Sequence, residues 1–187
     1  MKIIMHQTEI ELFSAFLIQS RSYFEFGMGG STCLAAKTVG ERIHAIDSDP
    51  DWVAKVRQEI GNCSKEVRVN VVNIGPTGSW GYPQGKSDID KYADYSRSIT
   101  RTGFADYDLC LVDGRFRIAC FLQALSVLNM DSVIGFHDYA CRPQYHLVEE
   151  FARPIAGIKE LKFFVRRPGL DRTALSVALE KYRNEPG

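Results

Sequence analysis

The stretch EFGMGGST sets Gly27, Gly29 and Gly30 between an apolar run and the start of an amphipathic one. Glycine permits positive φ and lets backbone amides approach a ligand closely, and a helix starting near Ser31 and Thr32 points its unpaired N–H groups at negative charge. Asp47 ends the next apolar run, in RIHAIDSDPDW, twenty positions after Gly27 (47 − 27 = 20). That is the spacing at which an acidic side chain accepts hydrogen bonds from a ribose diol. Turn and acid together point to an adenosine-containing ligand. Thr32 stands where a G-x-G-x-x-G fingerprint has its third glycine, which counts against NAD and against an NAD-dependent oxidoreductase. The plainer reading is a tight turn at the glycines, with Asp47, Ser48, Asp49 and Asp51 as solvated or capping groups around Pro50.

A second set of residues could act on an acceptor. Asp113 closes YDLCLVD, and His137 with Asp138 follows SVIGF. If those runs are adjacent strands, three oxygen or nitrogen groups meet at one edge. His137 then serves as a general base oriented by Asp113 or Asp138, because imidazole titrates near neutral pH. The same three groups could hold a cation, and a histidine among them suits Zn, Fe or Ni better than Mg. The alternative is a histidine finishing a strand and an aspartate capping a helix. Arg115, Arg117 and Arg142 could gather there to bind a carboxylate or phosphate, or simply be solvated. Trp80 and Tyr82, set among glycines and prolines in GPTGSWGYP, form a shaped loop over a ligand or a plug beneath a long loop. His6, His44 and His146 show no partner in the sequence.

Positioning these groups requires strands alternating with crossover helices. The apolar runs predict strands at Tyr23–Phe26, Arg42–Asp47, Val67–Gly75, Tyr107–Asp113 and Ser132–Phe136. Helices are expected over Thr8–Ile18, Ser31–Val39, Trp52–Ile60, Arg117–Leu128 and Pro143–Phe151. Trp52, Val53, Val56 and Ile60 share one helical face, as a helix lying on a sheet requires. IKELKFFVRR and TALSVALEKYR stand too close for a crossover and predict a closing antiparallel hairpin. Pro76 to Gly103 reads as an insertion or lid, in which DIDKYADYSRS is a short helix or an oligomer contact through Tyr92 and Tyr95.

A chain of 187 residues is read as one domain, 1–187, and 45% apolar content gives it a sizeable core. Its 23 basic residues balance 23 acidic ones, so nothing points to nucleic acid. His6, Gln7, Glu9 and Glu11 interrupt the first apolar runs, which excludes a signal-peptide core or membrane span and leads us to expect a cytoplasmic protein. Five cysteines, Cys33, Cys63, Cys110, Cys120 and Cys141, show neither a framework nor zinc spacing and are expected as reduced thiols in or near the core.

EFGMGGST resembles the E/D-x-G-x-G-x first motif of class I S-adenosylmethionine-dependent methyltransferases, and HAIDSDPDWV resembles their second, ribose-binding motif. YDLCLVDGR is similar to the fourth motif, and VIGFHDY to the strand-five motif of the small O-methyltransferases. The resemblance runs from about Thr8 to about Arg183. It implies a Rossmann-like methyltransferase fold: α/β, doubly wound, with a mostly parallel seven-stranded sheet and a C-terminal antiparallel hairpin. It also implies S-adenosylmethionine as cofactor and O-methylation of a small-molecule or sugar-containing acceptor. By the family's pattern Glu25 would tie down the loop or neighbour the methionine amino group. Gly27, Met28, Gly29 and Gly30 would pass under the methionine carboxylate, with Ser31 and Thr32 opening the helix behind them. Asp47 and Ser48 would take the ribose, Asn73 and Ile74 would lie near the adenine, and Asp113 would close the pocket beside the sulfonium. Relatives that use a divalent metal place acidic or amide ligands at these strand ends, so the resemblance allows Mg²⁺ on Asp113, His137 and Asp138, although the histidine departs from that pattern. A nucleoside-binding or interaction domain of the same fold without turnover is the alternative.

Overall fold

The computed structural model describes residues 1–187. Its seven strands are β1 (Ser22–Phe26), β2 (Arg42–Asp47), β3 (Glu66–Val71), β4 (Leu109–Val112), β5 (Val133–Phe136), β6 (Ala152–Ile158) and β7 (Leu161–Arg166). They form one sheet in the order β3-β2-β1-β4-β5-β7-β6, with β1 to β5 parallel and β7 antiparallel between β5 and β6. Six α-helices flank it: α1 (Gln7–Ile18), α2 (Gly30–Thr38), α3 (Pro50–Ile60), α4 (Ile89–Arg97), α5 (Arg117–Val127) and α6 (Arg172–Tyr182). Tyr23 of β1 packs with Phe13 and Leu17 of α1 and Ala35 of α2, while Phe24 and Phe26 face Tyr95 of α4 and Phe121 of α5. Both faces of β1 are therefore covered, which is why SYFEF reads as an unbroken buried run. The strand order reverses between β1 and β4, so a crevice opens at their carboxyl ends.

Local signals fix several boundaries. Asp49 caps α3, its carboxylate accepting from the amides of Asp51 and Trp52, and Pro50 supplies the first helical position. Val53 and Val56 turn to the sheet, whereas Trp52 is exposed toward the crevice and does not share their buried face. No helix is long and apolar enough to cross a membrane.

Several expectations are corrected. The closing hairpin pairs β7 with Ala152–Ile158, not with TALSVALEKYR, which is helix α6. Asp171 caps α6 by accepting from the amides of Thr173 and Ala174, and Leu175, Ala178, Leu179 and Tyr182 pack on the main core at helical spacing. β6 escapes notice because Pro154 and a bulge before Ala156 interrupt its pattern, which an edge strand tolerates. Pro143–Glu150 is 3₁₀ helix rather than α-helix, and β3 stops at Val71. Tyr92 and Tyr95 are buried in the core, so they present no oligomer contact, and one face of α4 packs there with them. All five cysteines are free, but Cys141 is exposed and only Cys33, Cys110 and Cys120 are buried.

Candidate functional site

The glycine turn is built by crowding. Gly27, at φ +85°, lies against Gly114 after β4, where a Cβ would clash with the Gly114 backbone and stand 2.8 Å from the Asp113 carbonyl carbon. A Cβ on Gly114 would in turn strike the Tyr95 hydroxyl. At Gly30 a Cβ would fall 2.5 Å from the Lys2 carbonyl oxygen, because residues 1–6 cross directly over the start of α2. The turn is then tied to β1. The Gly29 amide donates to Thr32 Oγ1 at 2.9 Å, and that hydroxyl donates to Glu25 Oε2 at 2.6 Å. Ser31 donates to Glu25 Oε1. Burial pushes the Glu25 carboxyl up to about 8, against the opposing pull of the Ser31 and Thr32 hydrogen bonds. Glu25 and Thr32 thus hold the loop from behind, while Gly27 to Ser31 face the crevice. From the other side the Trp52 indole N–H donates to the Met28 carbonyl at 2.6 Å.

Asp47 stands beside this turn at the end of β2. Its Oδ1 accepts from the amides of Ser48 at 2.7 Å and Asp49 at 3.1 Å, while burial raises its pKa against those bonds. Asp47 therefore does not cap α3; that work falls to Asp49. Asn73 and Ile74 are not at the crevice. Ile74 is buried in the main core, and Asn73 turns its Oδ1 to the Gly75 amide at 2.9 Å. Ser79–Gly81, with Tyr82, takes that edge instead, and a Cβ on Gly81 would lie 3.1 Å from Ser48 Oγ. Trp80 is the extreme of this loop, 80% exposed at a left-handed φ of 58°.

At the ends of β4 and β5, Asp113, His137 and Asp138 do come together, their ligand atoms lying within 4.8 Å of one another. His137 Nδ1 is 2.9 Å from Asp113 Oδ1, and its Nε2 is 3.7 Å from Glu9 Oε2 on α1. Burial acts to lower the His137 pKa, but the hydrogen bond and charge of Asp113, with Asp138, outweigh it and hold the imidazole above its usual value. Burial likewise acts to raise Asp113, and Arg117 with His137 overcomes it and holds that carboxyl below the usual range. Asp138 has a left-handed backbone, φ 57°, and caps no helix.

Arg117 explains the cluster. Buried at 4% exposure, it donates from Nε to the Gly114 carbonyl at 2.9 Å and from Nη1 to the His137 carbonyl at 2.5 Å. It also pairs with Asp113 Oδ1 at 3.2 Å and Asp138 Oδ2 at 3.0 Å. Arg117 is spent inside the protein and is neither a solvated arginine nor free to take an acceptor. The metal expectation finds no support in the same geometry. Asp113 and Asp138 already share a buried guanidinium, His137 Nδ1 already bonds Asp113, and a divalent cation among them would face that guanidinium at close range in a poorly screened site.

These pieces border one cleft of about 760 Å³, closed by residues 1–5 on one side and by Trp80 to Tyr82 on the other. Sequence reasoning missed the first wall: residues 1–5 carry no chemical motif, and their role appears only where Gly30 leaves room for them. It also missed Tyr95 as a wall, although its spacing from Tyr92 already marked an inward helical face.

No family model and no curated protein matches the chain. Among solved structures, a methyltransferase-like protein from Silicibacter pomeroyi DSS-3 is 30% identical, with a TM-score of 0.89 over 99% of this chain and 98% of that one. An O-methyltransferase from Bacillus cereus in complex with S-adenosylhomocysteine is 14% identical, with a TM-score of 0.57 over 87% of this chain and 82% of that one. A Burkholderia thailandensis 1,6-didemethyltoxoflavin-N1-methyltransferase with that compound and S-adenosylhomocysteine bound is 10% identical, with a TM-score of 0.53 over 87% of this chain and 80% of that one. The last two likenesses are of fold.

Proposed function

Because the chain belongs to the class I S-adenosylmethionine-dependent methyltransferase family, we propose that it binds S-adenosylmethionine in the cleft and methylates an oxygen of a small-molecule acceptor. The carrying observation is that the Gly27–Ser31 turn and the half-buried Asp47 carboxylate, at the ends of adjacent parallel strands, line one cleft. Its volume, about 760 Å³, is in the range of small-molecule sites. When bound, the nucleoside supplies a methyl group on a sulfonium. Asp47 would accept from the ribose hydroxyls, and Trp52 would hold the Met28 peptide in place under the ligand. At the other end His137, oriented through Nδ1 by Asp113, would take the acceptor's proton at Nε2 as the oxygen attacks. Because proton removal adds only a part of the rate, alignment of the two reactants in the cleft carries the rest.

One observation favours the second reading, a nucleoside-binding domain without turnover. Both ring nitrogens of His137 face carboxylates, which favours the imidazolium, and that form accepts no proton. The acceptor element is likewise a proposal, since the compared proteins include one named for O-methylation and one for N-methylation.

Calorimetric titration with S-adenosylmethionine, S-adenosylhomocysteine and NAD tests the cofactor. Micromolar binding of both sulfur nucleosides, lost in Asp47→Ala, is expected. Absence of heat with both, or tighter binding of NAD, overturns the assignment. Binding without product across an acceptor panel selects the second reading.

A further inference from the structure

Arg115 is a buried charged side chain of the cleft with no hydrogen bond or ion pair, whereas Lys2, another unpaired cation of the lining, is exposed. It is 7% exposed, and its Nε and Nη1 are buried with no hydrogen-bond partner. Its guanidinium lies over the Tyr82 ring, 4.2 Å from the centroid. A buried guanidinium without hydrogen bonds is strongly unfavourable unless something compensates it, and one aromatic face supplies a small part of that. The charges at the Asp113 end are already engaged with one another, although the Arg115 charge helps to hold the Asp113 carboxyl down. Arg117 answers Asp113 and Asp138, Arg142 Nη2 pairs with Asp138 Oδ2 at 3.1 Å, and Glu9 is held by the amides of His6 and Glu160 and faces His137. Arg142 Nη1 is taken by the Tyr145 hydroxyl at 2.9 Å.

The position of Arg115 is rigid rather than accidental. Gly114 before it is wedged between Gly27 and Tyr95, and Phe116 after it is fully buried at φ 53° with its amide bonded to the Pro186 carbonyl. The Tyr82 hydroxyl donates to the Gly187 carbonyl at 3.0 Å. A backbone held this way gives up little entropy when a ligand arrives.

Building on the methyltransferase reading, we infer that Arg115 is a specificity-determining residue that binds an anionic group, a carboxylate or a phosphate, on the methyl acceptor. The planar fork of a guanidinium matches both anions, and burial strengthens the pairing. The acceptor is then a small acid or phosphate ester whose reacting hydroxyl reaches the Asp113–His137 end while its charge rests on Arg115.

The test follows the arginine Nε–Hε resonances of ¹⁵N-labelled protein during titration with inorganic phosphate and, separately, benzoate, without and with saturating S-adenosylhomocysteine. A saturable shift of the Arg115 signal, with affinity falling at least about tenfold in Arg115→Met and partly kept in Arg115→Lys, is expected. Whichever anion saturates first identifies the acceptor's charged group. S-adenosylhomocysteine affinity is expected to stay within about twofold in Arg115→Met. No saturable shift with either anion overturns the inference, and so does a selective loss of S-adenosylhomocysteine binding in Arg115→Met, which would assign Arg115 to the nucleoside. If wild type binds the anions but not S-adenosylhomocysteine, the anion site stands and the cofactor reading fails.

Discussion

Gly27 and Gly114 meet backbone to backbone, so the ends of β1 and β4 approach more closely than any side chain permits. Gly27→Ala would combine a φ of +85° with a clash against backbone that cannot swing away. It is expected to cost about 2 to 4 kcal/mol of stability and to abolish S-adenosylhomocysteine binding. Urea midpoints and calorimetry on the same preparation check both. A variant that keeps wild-type stability and affinity would show that the two strand ends can separate.

Glu25 gives the fold a pH dependence of defined sign. Its folded pKa is about 8 against an ordinary value of 4.5, so between those values the native state keeps a proton that the unfolded chain has lost. Stability therefore falls as pH rises through that window and levels off above it, by an amount on the order of a few kcal/mol. Glu25→Gln is expected to flatten the slope. Thermal unfolding of both proteins from pH 5 to pH 9 (roughly the window) decides it, and parallel curves would refute the assignment.

Arg117→Met would leave Asp113 and Asp138 without their buried counter-charge, at about 3 to 5 kcal/mol. The same substitution exposes three ligand atoms to a cation. Wild-type activity is expected to be indifferent to EDTA, while the variant gains stability from added Mn²⁺ or Zn²⁺, read as a rise in Tm. Loss of wild-type activity in EDTA, restored by Mg²⁺, would reverse the metal conclusion.

Both tryptophans of the chain, Trp52 and Trp80, border the cleft. Ligand binding should therefore change intrinsic fluorescence. Trp80→Phe, at an 80% exposed position, is expected to remove part of that signal with stability within about 0.5 kcal/mol. Trp52→Phe, which deletes the bond to the Met28 carbonyl, should cost about 1 kcal/mol and weaken nucleoside binding.

How much of this was legible in the sequence depended on whether one short stretch carried the cause. Parallel strands covered on both faces read as continuous apolar runs, so β1, β2, β4 and β5 and the residues at their ends, Asp47, Asp113, His137 and Asp138, were visible. The hairpin was misjudged because Pro154 disguises β6 and because Leu175, Val177 and Leu179 alternate as a strand would, which hides the helical face of Leu175, Ala178 and Leu179. Asn73 and Ile74 were misplaced because where β3 stops depends on pairing with β2, which ends at Asp47↔Val71. Arg115 and Arg117 look alike in GRFR. Only the third dimension shows that one is bonded on every side and the other is not.

Glu9 has a consequence in time. Its two oxygens receive the amides of His6 and of Glu160, which is 151 residues further along the chain. At about 5–20 residues per second on the ribosome, the second partner emerges roughly 8 to 30 s after the first. Through that interval Phe13 and Leu17 of α1 can already pack on Tyr23 and Ala35, but the Glu160 amide that ties Glu9 beneath His137 is still missing. The bond that ties α1 to the β6–β7 turn beneath His137 is completed only once that turn has left the exit tunnel.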